Sequence, residues 1–548
     1  MRSDRIAFLE ERLASIEALL SVLTGQNPAQ VQQSVNDPPN NGVLPDSIGD
    51  WAISPAHTVQ DTTGCHSSSD TSSVAAPASA PTSNQLELPP LSEVLPAVDN
   101  YFRNYNIIIP LFDETAFMRM LLDFFAQTTK RSIVPWAAIN VVLAISYRVL
   151  EGRGSDDSSL AQCLQNVRSV MSELMVQGKD LMGLQVLLGM VILFLGSSDF
   201  QLAIVLTGSV VRMAQSLRLN SKEALEGLTG AEKAHRTSLF WLSYIYDREM
   251  SQRSQSPYHQ LDSDTDMELP EHDSETNMGI ITSSVDSIRF NYLRVKARLA
   301  HIHGNVYNLL YSPRSKTLTQ AQKNNTIIRI EEMLAEWVRE IPTELHTAEG
   351  IRSRLSPAAS DLMMNLWFHH TECRIKVRSI FTFEDSWVNR VRLYLTPSVV
   401  DLSDGVDGVV RGDIPPLPSG WDECVRYARV CLELLLKRQP TEYILWLHTC
   451  GSFSCLVLLI VNLLEHPEQA LITDDRQLLD NCFLIFEGMS KHLPKEPYWT
   501  MLAMAHELDE KAMDLAKRAS LAANSYEARD HLMSPSTAWA ILDDIEFQ

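Results

Sequence analysis

The chain has 548 residues, 45% of them apolar, enough to build a large buried core. Its formal net charge is -22. That balance argues against a chain that holds nucleic acid by itself, because affinity for DNA rests mostly on Lys and Arg at phosphates; it leaves room for a small basic module attached elsewhere.

The first predicted element is a helix over residues 1–23. Ile6, Leu9, Leu13, Ile16, Leu20 and Leu23 recur at alternating spacings of three and four, which is a heptad seam. With Ile6, Leu13 and Leu20 at a, Arg5 and Arg12 fall at g and Glu10 and Glu17 at e. In a parallel dimer each Arg would face a Glu of the partner helix, so the charges agree with the seam. The reading is a dimerisation coiled coil; the alternative is a short amphipathic helix docked on its own chain. Glu and Arg interrupt this stretch, so no secretory signal is expected.

Residues 24–87 are rich in Ser, Pro, Gln, Asn, Thr and Ala, and no Lys or Arg occurs between Leu13 and Phe102. Such a segment buries too little apolar surface to offset its chain entropy, so a disordered linker is predicted. Trp51 within it is either a short docking motif or an incidental aromatic.

From Leu88 the composition becomes globular and helical. Leu91, Val94, Leu95, Val98, Tyr101 and Phe102 have helical spacing, followed by Pro110-Leu111-Phe112 and Phe117. Trp136 to Leu150 reads as an apolar helix and Leu160 to Val176 as amphipathic. Two runs without charge, Leu181 to Ser198 and Ile444 to Leu464, approach the roughly 20 residues needed to span a bilayer. Gln185, His448, Asn462 and several Gly and Ser dilute them, and no Lys/Arg asymmetry flanks them, so they are read as buried helices of a bundle and no membrane is expected.

The stretch from Arg236 to Pro270 changes character halfway. Its first half is a helix apolar on nearly every side, with Phe240, Trp241, Leu242, Tyr244 and Tyr246, yet it carries Arg236, Asp247 and Arg248. Its second half, rich in Ser and Gln, repeats acidic residues at Asp262, Asp264, Asp266 and Glu268 before Leu269-Pro270, which reads as an exposed loop. The order of these residues resembles the fungal-specific transcription factor regulatory domain, the middle homology region of fungal zinc-cluster regulators. The match runs through Arg236, Phe240-Trp241, Tyr244, Asp247, Ser251, Pro257, the acidic positions and Leu269-Pro270, with Gln255-Ser256 where Gly-Arg is common. Three earlier steps fit the same family: Tyr101-Phe102 with Pro110-Leu111-Phe112, then Leu184-Gln185-Val186-Leu187-Leu188, then Arg212-Met213-Ala214 with Leu217 and Leu219.

At Arg218 the family commonly has a Gly that closes the helix in the left-handed conformation, so an Arg there speaks against a tight cap. Arg212 and Asp247 each sit on an otherwise apolar helix, and a buried pair between them is expected. The resemblance also implies a six-cysteine, two-zinc cluster ahead of the coiled coil. This sequence shows none: there is no Cys before Cys65 and no C-x2-C. The expectation is that the cluster is missing, through a truncated product or gene model, or in a regulator that lost its DNA reader. No cofactor and no metal ligand are expected in this chain.

Beyond residue 270, Ile288 to Tyr311 reads as a long helix carrying His301-x-His303, and Leu362 to Phe381 as another carrying His369-His370. Neither pair shares a helix face, so neither reads as a metal site. Cys424 and Cys431 have six residues between them, as inside zinc clusters, but further ligands are lacking; all eight cysteines read as reduced thiols. Residues 401–420 form a loop, and apolar segments follow near 421–437, 443–464 and 476–489. No strand pattern stands out. The tail 521–548 mixes acidic and bulky apolar residues, and is either an acidic–hydrophobic partner motif or a docked terminal helix.

No Gly-rich phosphate loop, nucleophile elbow or H-E-x-x-H occurs, so no catalytic residue is assigned and an enzyme is not expected. The predicted fold is all-α, with a regulatory domain over 88–520 behind the coiled coil (1–23) and linker (24–87). The resemblance implies a nuclear transcription regulator. It would work as a homodimer or heterodimer and contact the transcription machinery. It would reach DNA only if a zinc cluster precedes Met1 or a partner supplies one. The alternative is an interaction or dominant-negative protein that pairs with DNA-binding regulators.

Overall fold

A computed structural model describes residues 86–126, 131–177, 179–254, 256–271, 278–283, 285–379, 421–437, 440–466, 472–489 and 502–514, together with 499 and 517. All of them belong to the unit Ala80–Gln548. The expected coiled coil 1–23, with its seam Ile6, Leu9, Leu13, Ile16, Leu20 and Leu23, lies outside the described residues. So do the linker up to residue 85, the loop 401–420 and the tail 521–548.

The fold is all-α. Its first helices follow from where apolar residues are continuous. Helix α1 (Leu91–Tyr101) and α2 (Glu114–Ala126) each bury one stripe. Helix α3 (Ile133–Ile145) carries no charge and is buried from Trp136 to Ile145. The amphipathic segment expected over 160–176 is two helices, α4 (Ser158–Ser169) and α5 (Met171–Gln177). The break falls at Val170, whose backbone leaves the helical region. Helix α6 (Leu181–Leu195) is buried from Gly183 to Leu195 and packs against α3 and against α7 (Phe200–Ser216). Between α6 and α3 a Cβ on Gly189 would stand 2.3 Å from Val141 Cγ1, so the contact requires the missing side chain. The run Leu181 to Leu195 is thus short of a bilayer span. Ile133–Leu150 is long and apolar enough for one, and 72% of it is buried within the protein.

Helix α8 (Gly230–Ser254) is the longest of the described helices. It is buried without interruption from Ser238 to Ser251 and packs against α7 and against α9 (Tyr292–Val306). The long helix expected from Ile288 instead begins at Tyr292. A two-stranded antiparallel ribbon precedes it, β1 (Ile280–Thr282) with β2 (Arg289–Asn291), Ile281 opposite Phe290. Asn291 ends β2 and caps α9 through its side chain, which explains the switch.

Helix α10 (Gln320–Val338) opens on a capping box of Thr319 and Gln322. Helices α11 (Ala348–Arg354), α12 (Pro357–Ser379), α13 (Trp421–Lys437), α14 (Glu442–Glu465) and α15 (Ile472–Met489) complete the bundle, with residues 502–514 also helical. Thr347 and Thr441 cap α11 and α14, each such cap contributing about 1 kcal/mol. Side chains from α1 through 502–514 form one contiguous apolar core.

Candidate functional site

Phe240, Trp241, Tyr244 and Asp247 lie along the buried stretch of α8, and the acidic loop behind the helix folds back onto them. Asp247 is 1% exposed, and a buried carboxylate must be matched by donors. The backbone N–H of His259 donates to its Oδ2 at 2.9 Å and that of Gln260 at 2.8 Å. His259 Nδ1 lies 2.9 Å from Oδ1. Arg248, wholly buried, donates to Asp247 at 3.2 Å and to Asp262 Oδ1 at 2.9 Å. Its guanidinium carbon lies 3.9 Å from the ring centre of Tyr244 and 3.6 Å from that of Tyr258. Tyr244 donates to the same Asp262 oxygen at 2.6 Å, and Trp241 Nε1 donates to the Glu268 carbonyl at 2.9 Å.

These bonds fasten the loop to the helix, so the role of Tyr244, Asp247 and Trp241 is architectural. Phe240 is buried against Trp241. Pro270 closes the loop, its carbonyl accepting from Arg294 at 2.8 Å. Arg236 is half-buried, one helical turn from Glu232.

The expected pair of Arg212 with Asp247 does not form. Arg212 is exposed and donates to Gln215 of its own helix at 3.3 Å. Asp247 is satisfied instead by Arg248 and by loop N–H groups, partners that spacing along one helix does not reveal. The expectation against a tight cap at Arg218 is also overturned. Arg218 adopts φ +56°, Leu219 N–H donates to the Ala214 carbonyl at 3.0 Å, and Arg218 N–H donates to Gln215 at 2.9 Å. That is the Schellman closure, built with Arg in the left-handed position. Burial of Leu219 (1% exposed) holds it there.

A second polar cluster lies deeper, and the sequence reading did not single it out. Lys296 Nζ of α9 and His369 Nδ1 of α12 both lie 3.0 Å from Glu249 Oε1 of α8, and all three residues are buried. Burial raises the Glu249 carboxyl, but the Lys296 and His369 beside it prevail and hold it well below the usual range. Beyond His369, at 6.2 Å between ring centres, is His303, with neither ring nitrogen bonded. Burial and the neighbouring His369 push it down to about 3, so it is neutral at pH 7. His448, stacked 4.4 Å from Phe368, is likewise unbonded and lowered by burial. The available signal was a Glu and a Lys inside otherwise apolar helical faces.

The His301-x-His303 pair diverges as helical geometry requires: His301 turns to Tyr244 Oη at 3.3 Å while His303 turns inward. His369 and His370 also part, the latter stacking on Trp337 at 5.1 Å. Among the described residues, no three His, Cys, Asp or Glu side chains are placed to hold a metal ion. Cys163, Cys373 and Cys482 are buried thiols pushed up to about 12, which leaves them unreactive.

Residues 98–339 match the sequence model described as the fungal specific transcription factor domain. The span contains Arg212, Arg236, Phe240, Trp241, Tyr244, Asp247 and Pro270. Over 448 residues the chain is 26% identical to an ABC-transporter-regulating transcription factor of Aspergillus oryzae, covering 81% of this chain and 49% of that protein. A protein of the same description from Aspergillus fumigatus is 27% identical over 399 residues, 72% of this chain and 43% of its own. A fusaridione A cluster transcription factor of Fusarium heterosporum is 27% identical over 231 residues, 41% of this chain and 44% of its own. The chain spans about half the length of the curated relatives it matches, or less.

Proposed function

We infer, from a chain whose residues 98–339 carry a fungal specific transcription factor domain, that this protein is a transcription regulator acting in the nucleus on a defined set of genes. The domain match is the observation that carries this reading. The names of the relatives support the narrower part: two are described as regulating ABC transporters and one as a cluster regulator. In the proposed arrangement the seam from Ile6 to Leu23 pairs two chains, the linker gives reach, and the helical domain controls activity. No nucleotide, hydrolase or metalloprotease motif supports a catalytic role.

The test is to tether the chain to an unrelated DNA-binding domain upstream of a reporter and, separately, to delete its gene and sequence transcripts. A several-fold change in the reporter, and a compact set of altered transcripts, are expected. An unchanged reporter with an unchanged transcriptome would sink the reading.

The charge of -22 favours a second reading, an interaction protein that pairs with DNA-binding regulators without touching DNA. A mobility-shift assay with purified chain separates the two. A shift by the chain alone supports direct DNA contact, and a shift only with an added partner supports the second reading.

A further inference from the structure

Residues 287–330 contain eight Lys or Arg and no Asp or Glu, in a chain with 68 acidic and 46 basic residues. Three of the eight are engaged within the fold: Lys296 pairs with Glu249, Arg298 pairs with Glu340, and Arg294 donates to the Pro270 carbonyl. Arg314, Lys316, Lys323 and Arg329 are not. Among the described residues none of these four side chains makes an ion pair or a hydrogen bond. They occupy a 3-10 turn, Pro313–Thr317, and the first three turns of α10, which follows it. Arg314, Lys316 and Arg329 are exposed, and Lys323 is half-buried.

The same surface is apolar. Ile328 of α10 is 57% exposed and Leu309 is 39% exposed. Leu309 belongs to a π-helical turn, Tyr307–Tyr311, that packs on both the 3-10 turn and α10. Glu332, exposed one turn beyond Ile328, marks the edge of the patch, and Glu331 is taken by Arg378. Four like charges on neighbouring turns repel one another, and bulky apolar side chains held in water forgo burial. An occupant that is both anionic and apolar relieves both.

This chain carries such a segment. Trp539 to Phe547 sets Asp543, Asp544 and Glu546 among Trp539, Leu542 and Phe547, and no Lys or Arg follows Arg529. We propose that this segment docks on the Arg314–Arg329 surface of its own chain, its carboxylates against the four cations and its bulky side chains over Leu309 and Ile328. A nucleic-acid duplex offers phosphates but little to cover the two apolar residues, and the net charge of -22 repels it. Exposed ion pairs are individually weak. Residues 518–538 tether the segment to Lys517 with a reach of up to roughly 70 Å, so the encounter is intramolecular and an effective concentration on the order of millimolar offsets that weakness. This inference stands apart from the regulatory reading and rests only on the surface and the segment that matches it.

The test is zero-length cross-linking of the full chain with a water-soluble carbodiimide, which joins a carboxylate to a lysine amine in contact with it. Peptide mass spectrometry reads the links, and an equal mixture of isotope-labelled and unlabelled chains separates links within one chain from links between two. Asp543, Asp544 or Glu546 should join Lys316 or Lys323 within one chain, at least about fivefold more often than the exposed Lys179 and Lys233. Arg314→Glu with Arg329→Glu alters only exposed side chains and keeps both acceptor lysines, and it should cut these links at least about fivefold. Salt at about 1 M, where the screening length is about 3 Å, should do the same. Links no more frequent than those to Lys179 and Lys233, or links indifferent to the charge reversal, would overturn the proposal. Links found only between chains would overturn it in favour of a second copy. Absence of the links, together with binding of a DNA duplex that the charge reversal abolishes, would overturn it in favour of nucleic acid.

Discussion

Lys296 Nζ stands 3.0 Å from Glu249 Oε1 in the protein interior, where each residue is at most 6% exposed. A pair so placed joins α8 to α9, yet its net contribution is small, because desolvation opposes the attraction. Removing one partner is another matter. Lys296→Met leaves a buried carboxylate with only His369 and should lower stability by about 3–5 kcal/mol. The double replacement Glu249→Leu with Lys296→Met should recover most of that loss. Urea unfolding of both single variants and the double checks this, and a double-variant loss equal to the sum of the two single losses would show that the residues are not coupled.

His259 should titrate above its ordinary value. The hydrogen bond to Asp247 raises it, ahead of the opposing effect of burial. A raised folded-state value means that the proton stabilises the fold fully below about pH 6.5, and that this share is lost as pH rises through the folded value. The ring is half exposed, so the contribution is modest. Proton NMR of the imidazole should give a value above 6.5 in the native chain and a lower one in Asp247→Asn.

His303 works in the opposite direction. His369, Glu249 and Lys376 face it, and burial holds it near 3. The unfolded chain takes up this proton below about pH 6.5 while the folded chain does not, so stability is full above that pH and falls as pH drops toward 3. One such group contributes at most about 1.4 kcal/mol per pH unit. In His303→Gln the fall in stability between about pH 6 and 4 should be shallower, as read from unfolding midpoints across that range.

Arg218 occupies a backbone conformation that suits Gly. A left-handed L-residue costs about 1–2 kcal/mol, part of which Gly returns through greater freedom in the unfolded chain. Arg218→Gly should therefore leave the protein unchanged or more stable by up to about 1 kcal/mol, and the exposed pair with Glu223 adds little against it. Arg218→Val, branched at Cβ, should be less stable than the native chain by about 1 kcal/mol. Thermal unfolding orders the three, and a loss in Arg218→Gly would show that the side chain matters more than the turn.

Much of this molecule is legible without coordinates. The continuous apolar runs at Trp136–Ile145 and Gly183–Leu195 are helices buried on every side, because nothing in them tolerates solvent. The acidic loop after α8 is a loop, and Asp247 is indeed a buried charge in need of partners. Which groups partner it is not legible in the sequence, for a physical reason. Sequence spacing reports which residues share a helix face, whereas the donors to Asp247 are backbone N–H groups of a returning loop and an Arg next to it in the chain. The ribbon of β1 and β2 is not legible in the sequence, because three residues per strand give no readable alternation.

Composition and local pattern determined the all-α class, the burial of the apolar runs and the resemblance borne by Phe240, Trp241, Tyr244 and Asp247, because these depend on neighbours in the chain. Only the tertiary structure decided that Glu249, Lys296 and His369 meet, which happens where α8, α9 and α12 converge. The separations between these residues along the chain say nothing about which side chains end up 3.0 Å apart.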